Sequence, residues 1–280
     1  MVIYNIPASV VENYAHNDLI IRSDDPIELV KAFRKADSGS VRYLQLLKPD
    51  CIPDPLLEIV EPVRLELVVE DFTQDVDFFH NYSEVGLKHP VRVRIRTSPG
   101  FGEAVKLPLS LGFAVALETT QPAPALVEEL KAVLEYYLHN TDVRQPVDFF
   151  HSLLTVLFDG TDCTLWEIQG EDPALHGFVT EAGQLVLSQR LPSLALDQSP
   201  STFLHDLKLE LLTDHGECMT CPFFTKCMGY FKFPDRRFSC SHIRELLEIL
   251  WNAAKELRRE YEAAMRDQHP KRGQAEEEPR

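Results

Sequence analysis

The sequence contains no apolar run approaching the roughly 20 residues needed to cross a bilayer, so no membrane span is expected. Its first residues, MVIYNIPASVVENYAHND, lack a basic segment followed by a long apolar stretch. No secretory signal is read there, and the cytoplasm is the expected compartment. Positive charge is scarce: 28 Lys and Arg against 44 Asp and Glu leave a net charge of −16. Affinity for phosphate backbones comes largely from counterion release by Lys and Arg, so nucleic acid is not an expected partner. A basic partner or peptide is favoured in principle, although acidic charge that only confers solubility is the commoner case. No Gly-rich phosphate loop follows a strand-like run, no serine or cysteine sits in a nucleophile elbow, and no internal repeat is visible.

What is present suffices for a sizeable core. The chain has 280 residues, 44% of them hydrophobic and 26% charged, which is ordinary for one large domain or one domain with an appended module. Asp25 to Ala36 reads as a helix: Asp25 suits the N-cap, Pro26 the first helical position, and Glu28 the spacing of a capping box. Strand-like runs follow at Val41 to Leu47, Val63 to Val69, Val91 to Thr97 and Phe113 to Thr119. Asp71 to Val85 and Gly102 to Leu111 are candidate helices or crossover loops between them. Pro124 to His139 carries apolar residues at helical spacing, and Pro146 to Phe158 reads as a further helix ended by Asp159-Gly160. Thr164 to Ile168 and Leu185 to Ser188 read as strands. This alternation predicts an α/β fold with a mostly parallel sheet, either open or a partial, degenerate (β/α) barrel. The expected body spans residues 1–190, with a boundary in LPSLALDQSP. A short helix, roughly Thr202 to Leu212, leads into a module over residues 191–265 that ends in a long helix, Ser241 to Met265. Residues 266–280 form a polar tail expected to be disordered.

Six cysteines in a chain without a signal read as reduced thiols. Cys51 and Cys163 stand alone, and nothing visible in the sequence activates Cys51. Cys218, Cys221, Cys227 and Cys240 form a C-x2-C-x5-C-x12-C run within 23 residues. Four thiolates so close suit either a tetrahedral zinc ion or one [4Fe–4S] cluster. Zinc modules often pair two C-x2-C knuckles, and the second knuckle is missing, which leans toward iron–sulfur with zinc as the alternative. Phe223, Phe224, Tyr230, Phe231, Phe233 and Phe238 surround the run. They can shield a cluster, form the module's own core, or do both.

The segment CMTCPFFTKCMGYFKFPDRRFSCSHIRELLEILWNAAKEL resembles the C-terminal SPASM segment of radical S-adenosylmethionine peptide maturases. The resemblance covers Gly216 to Leu257 and extends more weakly to the α/β body, which is similar to the partial barrel of those enzymes. It implies that the four cysteines ligate one auxiliary [4Fe–4S] cluster. The chain departs from the family in two ways. Cys51 is the only cysteine before residue 163, so the CxxxCxxC motif of the radical cluster is absent and S-adenosylmethionine is not expected as cofactor. Ser188 stands where the family often has a further cluster cysteine. The layout is similar to companion proteins that carry a SPASM segment without the radical motif, as in GeoRSP-type peptide-modification systems. The resemblance thus implies a non-catalytic partner of a radical enzyme, with that enzyme and a precursor peptide as partners.

Arg92, Arg94 and Arg96 alternate along one strand and share a face. Inside a cleft they would bind a carboxylate or phosphate, which leaves open an enzyme with an anionic-substrate site in the body. On a solvated face they would pair with nearby acids, which so acidic a chain favours.

Overall fold

Among the described residues, short stretches make nine strands: β1 (Ile3–Pro7), β2 (Asp18–Ser23), β3 (Val41–Leu46), β4 (Leu65–Val69), β5 (Val91–Arg96), β6 (Ala114–Glu118), β7 (Val147–Asp148), β8 (His176–Val179) and β9 (Leu185–Val186). In the computed structural model, which describes residues 2–70, 77–186, 200–213 and 216–268, they form one sheet. Its order is β7-β6-β5-β4-β3-β2-β1-β8-β9, and every pairing is parallel except the antiparallel β8–β9. Parallel neighbours require a crossover between strands. Four of these are α1 (Pro26–Lys35), α2 (Ser83–Lys88), α3 (Phe101–Ser110) and α4 (Pro124–His139). Then come α5 (Phe150–Asp159), α6 (Leu165–Ile168), α7 (Pro200–Thr213), α8 (Phe224–Cys227) and the long α9 (Ser241–Gln268).

The expected α1 forms with Asp25 as N-cap, its side chain accepting from the Ile27 N–H at 2.8 Å. Glu28 does not close a capping box; it pairs with Lys31. Sequence reading missed β1, β2 and β8. It also read the segment 164–168 as a strand, whereas it is α6, held by a capping box between Thr164 and Glu167. The helix expected from Pro146 begins only at Phe150, because Val147 and Asp148 pair with β6 as β7. The expected ending is there, with Gly160 in the left-handed conformation. Of the boundary expected in 191–200, only Pro200, the first residue of α7, is described; Ser188 and the last twelve residues of the tail lie outside the described residues. Within them, α9 runs three residues past the expected end of the module.

Body and module share one hydrophobic core. α9 packs against α4 and α5, and α6 packs against α8. Ile243, Leu246, Leu247, Leu250 and Ala254 are buried along α9, whereas Leu257 and Tyr261, further along, are exposed.

The sheet's other face is polar. In β5, Val91, Val93 and Ile95 enter the core while the three arginines take the opposite side. There Glu66 of β4 lies opposite Gln45 of β3 and Arg92 of β5 in register. Its carboxylate is fully buried and meets Arg92 at 2.5 Å and Arg94 at 3.1 Å, and it accepts from the Gln45 amide. The chain of bonds continues through Asn5 to Arg22, and through Arg92 to Asp148 at 3.0 Å. Burial pushes the Glu66 carboxyl up, but the two guanidiniums outweigh it and hold the group at about 2.

Replacing Glu66 by Gln keeps the size and removes the charge that two buried arginines share. Urea unfolding is expected to show a loss of about 3–5 kcal/mol. A folded-state value below the ordinary 4.5 means that Glu66 contributes stability above about pH 4.5, which is lost as the pH falls toward 2. The variant's stability should therefore fall less steeply over that interval than the parent's.

Candidate metal centre

The four clustered cysteines come from three local structures. Cys218 lies in a short 3-10 turn, Glu217–Thr220, and Cys221 ends it. Cys227 is the last residue of α8, and Cys240 directly precedes α9. The chain reverses after Cys227 through Met228 and Gly229, both in the left-handed region at φ 48° and 73°. Gly229 is required on two counts. A β-carbon there would stand 2.3 Å from Leu211 of α7, and a side chain disfavours that φ.

The result is convergence. Cys218, Cys221, Cys227 and Cys240 line one small cavity, closed by Phe224, Phe231, Ile243 and Leu247. None of the four is in a disulfide. Yet among the described residues no three of these sulfurs lie within 4.8 Å of one another. Burial pushes the Cys218 thiol up. It takes Cys240 to about 12 and Cys227 to about 11, the latter against backbone N–H groups of Phe231 and Tyr230 that favour the thiolate. Metal-free, these thiols hold their protons at neutral pH, and a metal would have to displace them.

One carboxylate clasps the loop ends together. Glu217 accepts from Lys232, from the Cys240 N–H at 3.0 Å and from Arg244 at 3.2 Å. Lys232 is buried and also donates to the Phe238 carbonyl. Two cations against one carboxylate leave a positive balance beside the thiols, which suits an anionic thiolate set.

Four of the six aromatics take two positions. Phe224 and Phe231 face the sulfurs. Tyr230 and Phe233 surround Trp166 of α6, with ring centroids 5.2 and 5.5 Å away. The Trp166 indole donates to the Met228 carbonyl, one residue past Cys227, at 3.1 Å. Sequence reading missed Trp166 because it assigned its segment to a strand. The Thr164-x-x-Glu167 spacing is the signal that would have found the helix.

The other candidates separate from this centre. Cys51 packs on Tyr82 with sulfur and hydroxyl 3.8 Å apart, and burial pushes its thiol up. Burial does the same at Cys163. His242 lies beside Glu128 and Glu245, but Lys131 already bridges both carboxylates at 2.8 and 2.6 Å. Arg92, Arg94 and Arg96 each pair with an acid, Arg96 with Glu118 at 3.3 Å. Arg92 and Arg94 do so in the wall of a cavity instead of on a solvated face.

No protein-family model, curated protein or solved structure matches the chain.

Changing Glu217 to Ala strands Lys232 in a buried position and frees the start of the module from its end. A loss of about 3 kcal/mol is expected in urea unfolding. Unchanged stability would show that the clasp does not hold the cysteine loops together.

Proposed function

We propose that this chain is an accessory iron–sulfur protein whose Cys218, Cys221, Cys227 and Cys240 hold one [4Fe–4S] cluster. The observation that carries the reading is that all four cysteines of the run line one cavity. Tetrahedral zinc, with Zn–S near 2.3 Å, draws four sulfurs to within about 3.8 Å of one another. A cubane places each thiolate on a different iron and spreads them further apart. Four cysteines lining one cavity suit four-thiolate coordination, and the C-x2-C-x5-C-x12-C run without a second C-x2-C knuckle leans toward the cluster. The positive balance left by Lys232 and Arg244 and the N–H groups directed at Cys227 support it.

The body fits the same reading. Parallel strands β1 to β7 follow one another in sequence order, and residues of β1, β3, β5, β7 and β8 line one cavity. That is what a sheet curled toward a partial barrel would produce. With no CxxxCxxC motif, S-adenosylmethionine cleavage is assigned to a separate radical enzyme. The chain would act beside it in modifying a ribosomally made peptide, by binding the peptide or docking on the enzyme. When bound, a four-thiolate cluster supplies one-electron redox capacity or fixes the module's fold.

Anaerobic purification tests the metal assignment. About four iron and four sulfide per chain are expected, with brown colour lost in Cys227→Ser. A colourless protein with about one zinc per chain would replace this reading by a zinc-stabilised interaction module.

A further inference from the structure

The cavity on the polar face of the sheet measures about 220 Å³. It is larger than the roughly 150 Å³ that admits benzene and smaller than the roughly 300–1,000 Å³ of drug-sized sites. Its wall is charged, but the charges are unequally spent. Arg42 pairs with Asp18 at 3.0 Å, Arg92 with Glu66 and Asp148, and Arg94 with Glu66. Each guanidinium thus faces a carboxylate, although Arg94 spends only its Nε on Glu66 and the buried Arg92 Nε has no hydrogen-bond partner. Glu118 is likewise matched, by Arg96.

Glu167 differs. It lines the cavity from α6, and its Oε1 accepts from the backbone N–H and hydroxyl of Thr164, both at 3.2 Å. Among the described residues it has no lysine or arginine partner. Near it in the wall is His176, whose imidazole burial holds below its ordinary value, so that it is neutral and able to accept a hydrogen bond at pH 7. Ile20, Ile168, Tyr43 and Phe178 supply apolar wall between these polar groups.

We propose that this cavity binds a small ligand carrying a protonated amine on an apolar stem, of the size of a lysine side chain, with Glu167 and His176 receiving the ammonium. A carboxylate left without a cation in a partly buried wall gains most from a ligand that brings one. The apolar wall gains from the stem. The site needs neither metal nor partner enzyme, so it stands or fails separately from the iron–sulfur assignment.

Titration calorimetry on the full chain decides it. The probes are Nα-acetyl-lysine amide, the norleucine analogue with the same stem but no charge, and the glutamate analogue. The lysine probe is expected to bind, and the norleucine and glutamate probes about tenfold more weakly or not at all. Glu167→Gln should weaken the lysine probe about tenfold. Gln also serves as the partner in a capping box, so α6 should persist, and circular dichroism and thermal melting check this. Glu103→Gln, at an exposed position on α3, should leave binding unchanged. Equal or tighter binding of the glutamate probe, no binding of the lysine probe at millimolar concentration, or an unaffected folded Glu167→Gln protein would each overturn the proposal.

Discussion

A carboxylate with no access to water must be paired, and the polar face of this sheet is organised around that constraint at Glu66. One acid cannot neutralise two guanidiniums, so Arg92 reaches on to Asp148 and the network spreads sideways. On the other side Gln45 uses its amide nitrogen on Glu66 and its oxygen on Asn5, which in turn meets Arg22. The network therefore ties β1 to β5 and β7 through side chains, in addition to the backbone ladder. It also means that the arginines on this face meet carboxylates of the protein before any ligand arrives.

The cysteine centre and the cavity are held by different devices and meet at one short element. Glu217 closes the cysteine loops by bonding the beginning of the module to its end. Four-residue α6 does the rest. Trp166 enters the aromatic core beside the loop after Cys227, while Glu167, Ile168 and Gln169 face the cavity, with the Gln169 amide bonded to the Leu117 carbonyl of β6. A helix this short has little stability of its own. Its capping box and the close packing of Trp166 keep it in place, so the two regions are mechanically joined although they share no side chain.

Much of this was legible in the sequence because the relevant signals are local. The alternation of strand-like and helix-like periods gave the α/β class, and the Gly160 stop and the stripe from Ile243 to Ala254 marked helices correctly. The convergence of four cysteines followed from their proximity in the chain. What stayed hidden depends on distant partners. β1, β2 and β8 become strands by pairing in the sheet, and β8 joins β1 across more than 160 residues. The fate of the arginines was equally non-local, because Glu66, Asp148 and Glu118 lie on three other strands. Composition suggested that acids would be near; only the sheet register says which, and that they meet the arginines in a cavity wall.

Electrostatics alone would not choose between the two metal readings. Zinc(II) with four thiolates and an oxidised [4Fe–4S] core with four thiolates carry the same net charge. Lys232 and Arg244 would therefore stabilise either equally, and the buried thiols would have to lose their protons in both cases. Size is what differs. Phe224, Phe231, Ile243 and Leu247 close the cavity and belong to the core or pack against it, so either centre would have to fit within walls already packed. A cubane holds its thiolates further apart than a zinc ion does, so the two readings ask the same loops for different movements, and metal content, not charge, tells them apart.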